Sequence, residues 1–195
     1  GDLVVDGGGG KVSGAKTATL VITSIAAPAD DGAYTVDVTG SDGTFTQTGG
    51  SNSVGDTMIL GEFPETSGTY NLSGGTLATG TAVNGRPESL GQSGTGSFVQ
   101  TGGTHTARGM TIGESSGSTG SYTMSGGASI LNCSGTIQVA GIGHGTFTQD
   151  AGAVTTENIY DSFNSGGIGE YTLNGGSVSI TSYLSIGYQG NGTFT

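Results

Sequence analysis

The sequence predicts an all-β fold: a parallel β-helix (β-solenoid) of about six coils of 23–28 residues, preceded by an irregular β segment. Three observations predict it. One short string recurs seven times at nearly constant spacing, and a Gly-Gly pair closes most copies. The composition points the same way, with 42 glycines in 195 residues, 10% charged residues and no Trp. Average chains carry roughly 7% Gly and about 25% charged residues. Such a chain cannot fill a thick core and must rely on dense backbone pairing around a thin one. Plentiful, ordered Thr, Val and Ile argue against disorder. Gly without a three-residue period and only three Pro argue against collagen.

Residues 1–42 lack the repeat and form the first unit, either a β cap or a partial immunoglobulin-like segment. Gly7–Gly10 reads as a flexible turn; with no helix signal after it, it is a poor phosphate loop. Leu20, Ile22 and Ile25 are spaced like strand positions. Asp30, Gly32, Tyr34 and Val36 spell D-x-G-x-Y-x-V, which resembles the tyrosine corner of immunoglobulin-like domains. That resemblance covers some 25 residues of a domain that needs about 100. A trimmed remnant and an irregular solenoid cap both remain open.

Residues 43–195 form the second unit, the β-solenoid repeats. The strings are GTFTQTGG from Gly43, GTYNLSGG from Gly68, GSFVQTGG from Gly96, GSYTMSGG from Gly120, GTFTQDAG from Gly145, GEYTLNGG from Gly169 and GTFT from Gly192. The steps are 25, 28, 24, 25, 24 and 23 residues. Each string reads as a strand in which every second side chain shares a face. One face carries an aromatic ladder of Phe45, Tyr70, Phe98, Tyr122, Phe147, Tyr171 and Phe194. The strands end at coil corners Gly49-Gly50, Gly74-Gly75, Gly102-Gly103, Gly126-Gly127 and Gly175-Gly176, where glycine reaches φ > 0 without steric penalty. The fifth copy has Ala151-Gly152 instead. A second strand follows, as at Ile130-Leu131 or Val178–Ile180, and a third, as at Met58–Gly61, Met110–Gly113 or Leu184–Gly187. Three short strands in about 24 residues fit one β-helix turn. Like strings at one-coil spacing favour parallel stacking, at about 4.8 Å per coil.

A second period lies inside the first. Phe and Tyr alternate, and so does the residue two later: Gln47, Leu72, Gln100, Met124, Gln149, Leu173. The unit is then two coils. A buried Tyr hydroxyl needs a partner, and the neighbouring Gln is expected to supply it.

Charge narrows the function classes. The net charge is -11, and Lys11, Lys16, Arg86 and Arg108 are the only Lys and Arg residues. Four cations neutralise few phosphates, so no nucleic acid is expected. No apolar run reaches the roughly 18 residues of a membrane helix. Cys133 is the lone cysteine, so no intrachain disulfide forms; it reads as a small repeat side chain. His105 and His144 are expected to be exposed polar residues. No cofactor and no metal set is expected, although a loosely held surface Ca²⁺ fits so acidic a chain. The nearest carboxylate sets are Asp30-Asp31, Glu62 with Glu65, and Asp150 with Glu157. None specifies a catalytic site, and the expectation is a non-enzyme.

The alternating GTFTQTGG and GTYNLSGG strings resemble repeats of bacterial surface β-solenoid proteins, the autotransporter-like β-strand repeats. The resemblance covers roughly Gly43 to Thr195. It implies a right-handed β-helix, export to the cell surface or outside it, and a passive scaffold or adhesive role.

The seventh string breaks off at Thr195. Gly192, Thr193, Phe194 and Thr195 are therefore the expected subunit contact, since an uncovered coil edge can pair with another chain; the competing reading is a piece of a longer solenoid, whose open end is only a boundary. A head-to-tail contact generates a filament. The leading expectation is a non-catalytic extracellular structural protein that self-associates end to end as a filament, surface layer or stalk. An adhesin or carbohydrate-binding module is the alternative, with Tyr160, Phe163, Tyr183 and Tyr188 as an aromatic platform. A polysaccharide-active enzyme, requiring a groove with facing carboxylates, comes third.

Overall fold

The computed structural model describes the backbone of residues 18–22 and all of residues 42–195. The D-x-G-x-Y-x-V motif lies outside the described residues. Every regular element among the described residues is a strand. β1 spans Ala18–Ile22. The first coil contains β2 (Asp42–Gln47), β3 (Ser51–Val54) and β4 (Ile59–Leu60). The second contains β5 (Ser67–Leu72), β6 (Thr76–Thr79) and β7 (Glu88–Leu90), and the third β8 (Thr95–Gln100), β9 (Thr104–Ala107) and β10 (Met110–Ile112). The fourth holds β11 (Thr119–Met124) and β12 (Ile130–Val139), and the fifth β13 (His144–Gln149) and β14 (Ala153–Asp161). The sixth holds β15 (Ile168–Leu173) and β16 (Ser177–Ile186), and β17 (Asn191–Phe194) opens the next turn.

All pairings are parallel and join like strings of successive coils, which is a β-solenoid of about six turns. One sheet runs β1-β2-β5-β8-β11-β13-β15-β17. Its register places Phe45 beside Tyr70, Tyr70 beside Phe98, and so on to Phe194. β1 pairs with β2, Leu20 opposite Phe45.

The second sheet folds into two walls. β3, β6 and β9 stack in one, β4, β7 and β10 in the other. From the fourth coil onward these two strands are one, kinked by a register shift between Cys133 and Thr136, and again between Thr156 and Asn158. This departs from three separate strands per coil. The connection explains it: residues 55–58, 80–87 and 108–109 shrink to 134–135 and then to residue 157. A one- or two-residue link acts as a bulge within a continuous strand. Residues 80–87 also account for the one 28-residue step.

The corners carry the two-coil unit as well. The corner after the third wall has positive φ at Gly61, Gly91, Gly113, Ala140, Ser162 and Gly187. It is longer before each Tyr strand than before each Phe strand. The longer version repeats one turn, with positive φ at Glu65, Gly117 and Gly166. At the Gly-Gly corners the second residue takes positive φ at Gly50, Gly75, Gly103 and Gly176, and at Gly152 in the departing copy. Gly127 does not, against expectation. Two extra residues there let the chain close a turn instead, with Ser129 N donating to Gly126 O at 2.9 Å.

The core is a thin column inside three walls. Phe45, Tyr70, Phe98, Tyr122, Phe147 and Tyr171 are buried, and Phe194 packs partly against them. Their ring centroids are 4.5–5.1 Å apart, and every pair from Tyr70 upward lies within 11° of parallel. Each aromatic pair adds about 0.5–1.5 kcal/mol beyond its buried area. No helix of the described residues is long and apolar enough to cross a membrane.

Candidate functional site

The ladder is cross-linked along its length by the residue two positions after each Phe. Tyr70 Oη donates to Gln47 Oε1 at 2.5 Å, Tyr122 to Gln100 at 2.7 Å and Tyr171 to Gln149 at 2.8 Å. All three Tyr–Gln bonds predicted from the alternation are present. Each Gln also donates from Nε2 to two carbonyls, one in its own corner and one in the next coil. These are Gly50 and Thr76 for Gln47, Gly103 and Ile130 for Gln100, and Gly152 and Ser177 for Gln149. One buried side chain thus ties its own corner to the coil above through three hydrogen bonds. Burial raises the Tyr70, Tyr122 and Tyr171 hydroxyls well above their ordinary range, so they stay protonated donors.

Three ionisable side chains occupy inward positions that sequence reasoning left outside or overlooked. His105 is a correction: it is fully buried, whereas His144 is exposed as expected. The register sets His105 in the inward column with Leu77 and Leu131. Its ring stacks on Phe98 at 4.7 Å and 6°, and its Nδ1 lies 3.1 Å from Tyr122 Oη. Glu88 replaces a Met in the column shared with Met110. Its Oε2 lies 3.3 Å from His105 Nε2 and accepts from Thr79 Oγ1 at 3.3 Å. Asp161 stands where Val139 and Ile186 stand in neighbouring coils. Its carboxyl oxygens are buried without hydrogen-bond partners, and burial pushes its pKa up to about 6. Cys133 is buried as a small repeat side chain beside Ala107 and Thr156, and burial pushes its thiol up to about 11.

Of the other carboxylate sets, Asp30-Asp31 lies outside the described residues. Glu62 with Glu65, and Asp150 with Glu157, are at least partly exposed. Among the described residues no three His, Cys, Asp or Glu side chains come together to hold a metal ion. A shallow groove of about 460 Å³ between the second and third walls is lined by Thr79, Thr81, Ala82, Thr106, Arg108 and Ser134 among others, none of them a carboxylate. Of the four proposed platform aromatics, three meet. Phe163 stacks on Tyr188 at 5.2 Å and 9°, and Tyr160 meets Phe163 edge-on at 5.1 Å. Tyr183 is exposed apart from them.

The expected contact segment, residues 192–195, lies in and directly after β17. Among the described residues β17 pairs with β15, and β16 pairs with β14. Phe194 stacks on Tyr171 at 4.7 Å. Thr195 closes the register, donating to Tyr171 O and accepting from Leu173 N. Leu184 and Ile186, which continue inward columns, are 47% and 48% exposed there.

Comparison with protein-family models, with curated proteins and with solved structures gives no match to this chain. The site is therefore read from its own chemistry.

Proposed function

We propose that this chain is a non-catalytic structural element of an extracellular or cell-surface assembly, a rod that joins end to end with further copies of itself. The single observation that carries the reading is the parallel stack of like coils, in which each strand pairs with the matching strand of the next coil. Leu184 and Ile186 continue inward columns of that stack and are about half exposed. Parallel sheets of like coils can add a further like strand, and a head-to-tail contact propagates into a filament. The coil-to-coil Gln–Tyr bonds support a mechanical role, because they lie along the direction in which a rod is loaded. Negative-stain electron microscopy and sedimentation of the purified chain test this. Concentration-dependent rods or filaments are expected, and Leu184→Lys with Ile186→Lys should abolish them. A monomer at every concentration and salt condition overturns it.

A second reading rests on the meeting of Tyr160, Phe163 and Tyr188. Aromatic faces beside Asn164 and Gln189 suit a sugar ring, which would make the rod an adhesive surface. A glycan array with wild type and Tyr188→Ala separates the readings. Binding lost in the variant favours adhesion, and no binding by the wild type removes it.

A further inference from the structure

The polar cluster behind the aromatic ladder fixes where its hydrogens sit. Gln100 Nε2 donates to the carbonyls of Gly103 at 2.9 Å and Ile130 at 3.0 Å. Carbonyl oxygens only accept, so the amide has one orientation and Oε1 faces Tyr122. The Tyr122 hydroxyl therefore commits its only hydrogen to Gln100 Oε1. His105 Nδ1, 3.1 Å from that same oxygen, must then be a donor.

This leaves the other ring nitrogen. In a neutral ring with hydrogen on Nδ1, Nε2 is a bare lone pair. It lies 3.3 Å from Glu88 Oε2, and both side chains are fully buried. Without a proton there, two electron-rich atoms would face each other away from water, beside an uncompensated buried carboxylate, which is strongly unfavourable. Glu88 Oε1 has no hydrogen-bond partner, so a proton on that atom would find no acceptor. The Nε2 to Oε2 contact is bent rather than a straight hydrogen bond, so charge attraction carries much of it.

Among the described residues, the groups packed around the pair supply no other counter-charge. Tyr70 on β5, Tyr122 on β11 and Cys133 on β12 are the titratable neighbours, all held uncharged by burial. β6 offers the Thr79 hydroxyl and β10 offers Met110. Ser89 on β7 donates to Glu114 Oε2 at 2.6 Å, and Glu114 is itself part-exposed. Arg108, after β9, is exposed and bonds the Ala82 and Val83 carbonyls.

We propose that Glu88 and His105 share one proton between Oε2 and Nε2, forming a buried net-neutral lock between the second and third coils.

Nuclear magnetic resonance of the full chain labelled with ¹⁵N and ¹³C tests it. The expected result at neutral pH is hydrogen on both ring nitrogens of His105, or on Nδ1 alone with Glu88 as the carboxylic acid. A ring with hydrogen on Nδ1 alone beside an ionised Glu88 overturns the proposal, and so does a ring with hydrogen on Nε2 alone. Thermal unfolding at one pH gives the second readout. His105→Leu, which strands the Glu88 carboxyl, should lower the midpoint by several degrees. Adding Glu88→Met restores the column residues of adjacent coils and should recover most of that loss. A double variant no more stable than His105→Leu alone sinks the idea.

Discussion

At the scale of single residues, the polar atoms inside the ladder are unequal in what they support. Tyr122 Oη accepts from His105 and donates to Gln100, while Tyr171 Oη bonds Gln149 alone. Leaving a buried polar group unpaired costs about 1–3 kcal/mol. Tyr122→Phe should therefore destabilise the rod by about twice as much as Tyr171→Phe in urea unfolding, because it strands two groups rather than one. Asp161 predicts a pH effect. Its ordinary pKa is 3.8 and burial raises it to about 6. Below 3.8 both folded and unfolded chains hold the proton. Between there and about 6 the unfolded chain releases it first, so stability falls as pH rises through this window and stays low above it. Asp161→Asn should flatten that decline and raise the unfolding midpoint at neutral pH. An unchanged acid-side profile would refute the assignment.

At the scale of the element, two glycines of one repeat string answer to different constraints. The first glycine of each string faces inward against the preceding corner. A Cβ on Gly96 would lie 2.1 Å from Gly91 N, and one on Gly120 2.1 Å from Leu90 O. Backbone on that side cannot yield, so Gly120→Ala should lose cooperative folding, read by circular dichroism on heating. Gly127 has open space around its missing Cβ and no positive φ. Gly127→Ala should be tolerated, with a change within about 0.5 kcal/mol. This pair also shows how far the sequence could be read. The first wall was legible because seven similar strings fix its register and its alternation. Gly127 was not, because the two residues inserted after it lie outside the string. His105 sits between two Thr and looked like any exposed strand position. Which side of the second wall faces inward is set by how the chain leaves the corner, and periodicity alone does not carry that. Glu88 was hidden by residues 80–87, which break the spacing that would have aligned it with Met58 and Met110.

At the scale of the molecule, stability passes from coil to coil, as in other solenoids where each repeat relies on its neighbours. The bonds are directional: a Phe coil offers a Gln upward, and only a Tyr coil can receive it. Removing residues 119–143 would set Phe147 on Phe98 and leave Gln100 without its Tyr hydroxyl. Removing residues 119–167 would set Tyr171 there in the same register, since Thr119, His144 and Ile168 are equivalent positions. The larger deletion should therefore give the more stable protein per residue, measured by urea unfolding; the reverse order would refute a two-coil unit. The alternation thus imposes a parity rule on how this rod can change length. Unequal exchange between its near-identical strings can add or remove coils in even numbers without a mismatch, and every odd change leaves a Gln and its partner carrying an unanswered hydrogen bond.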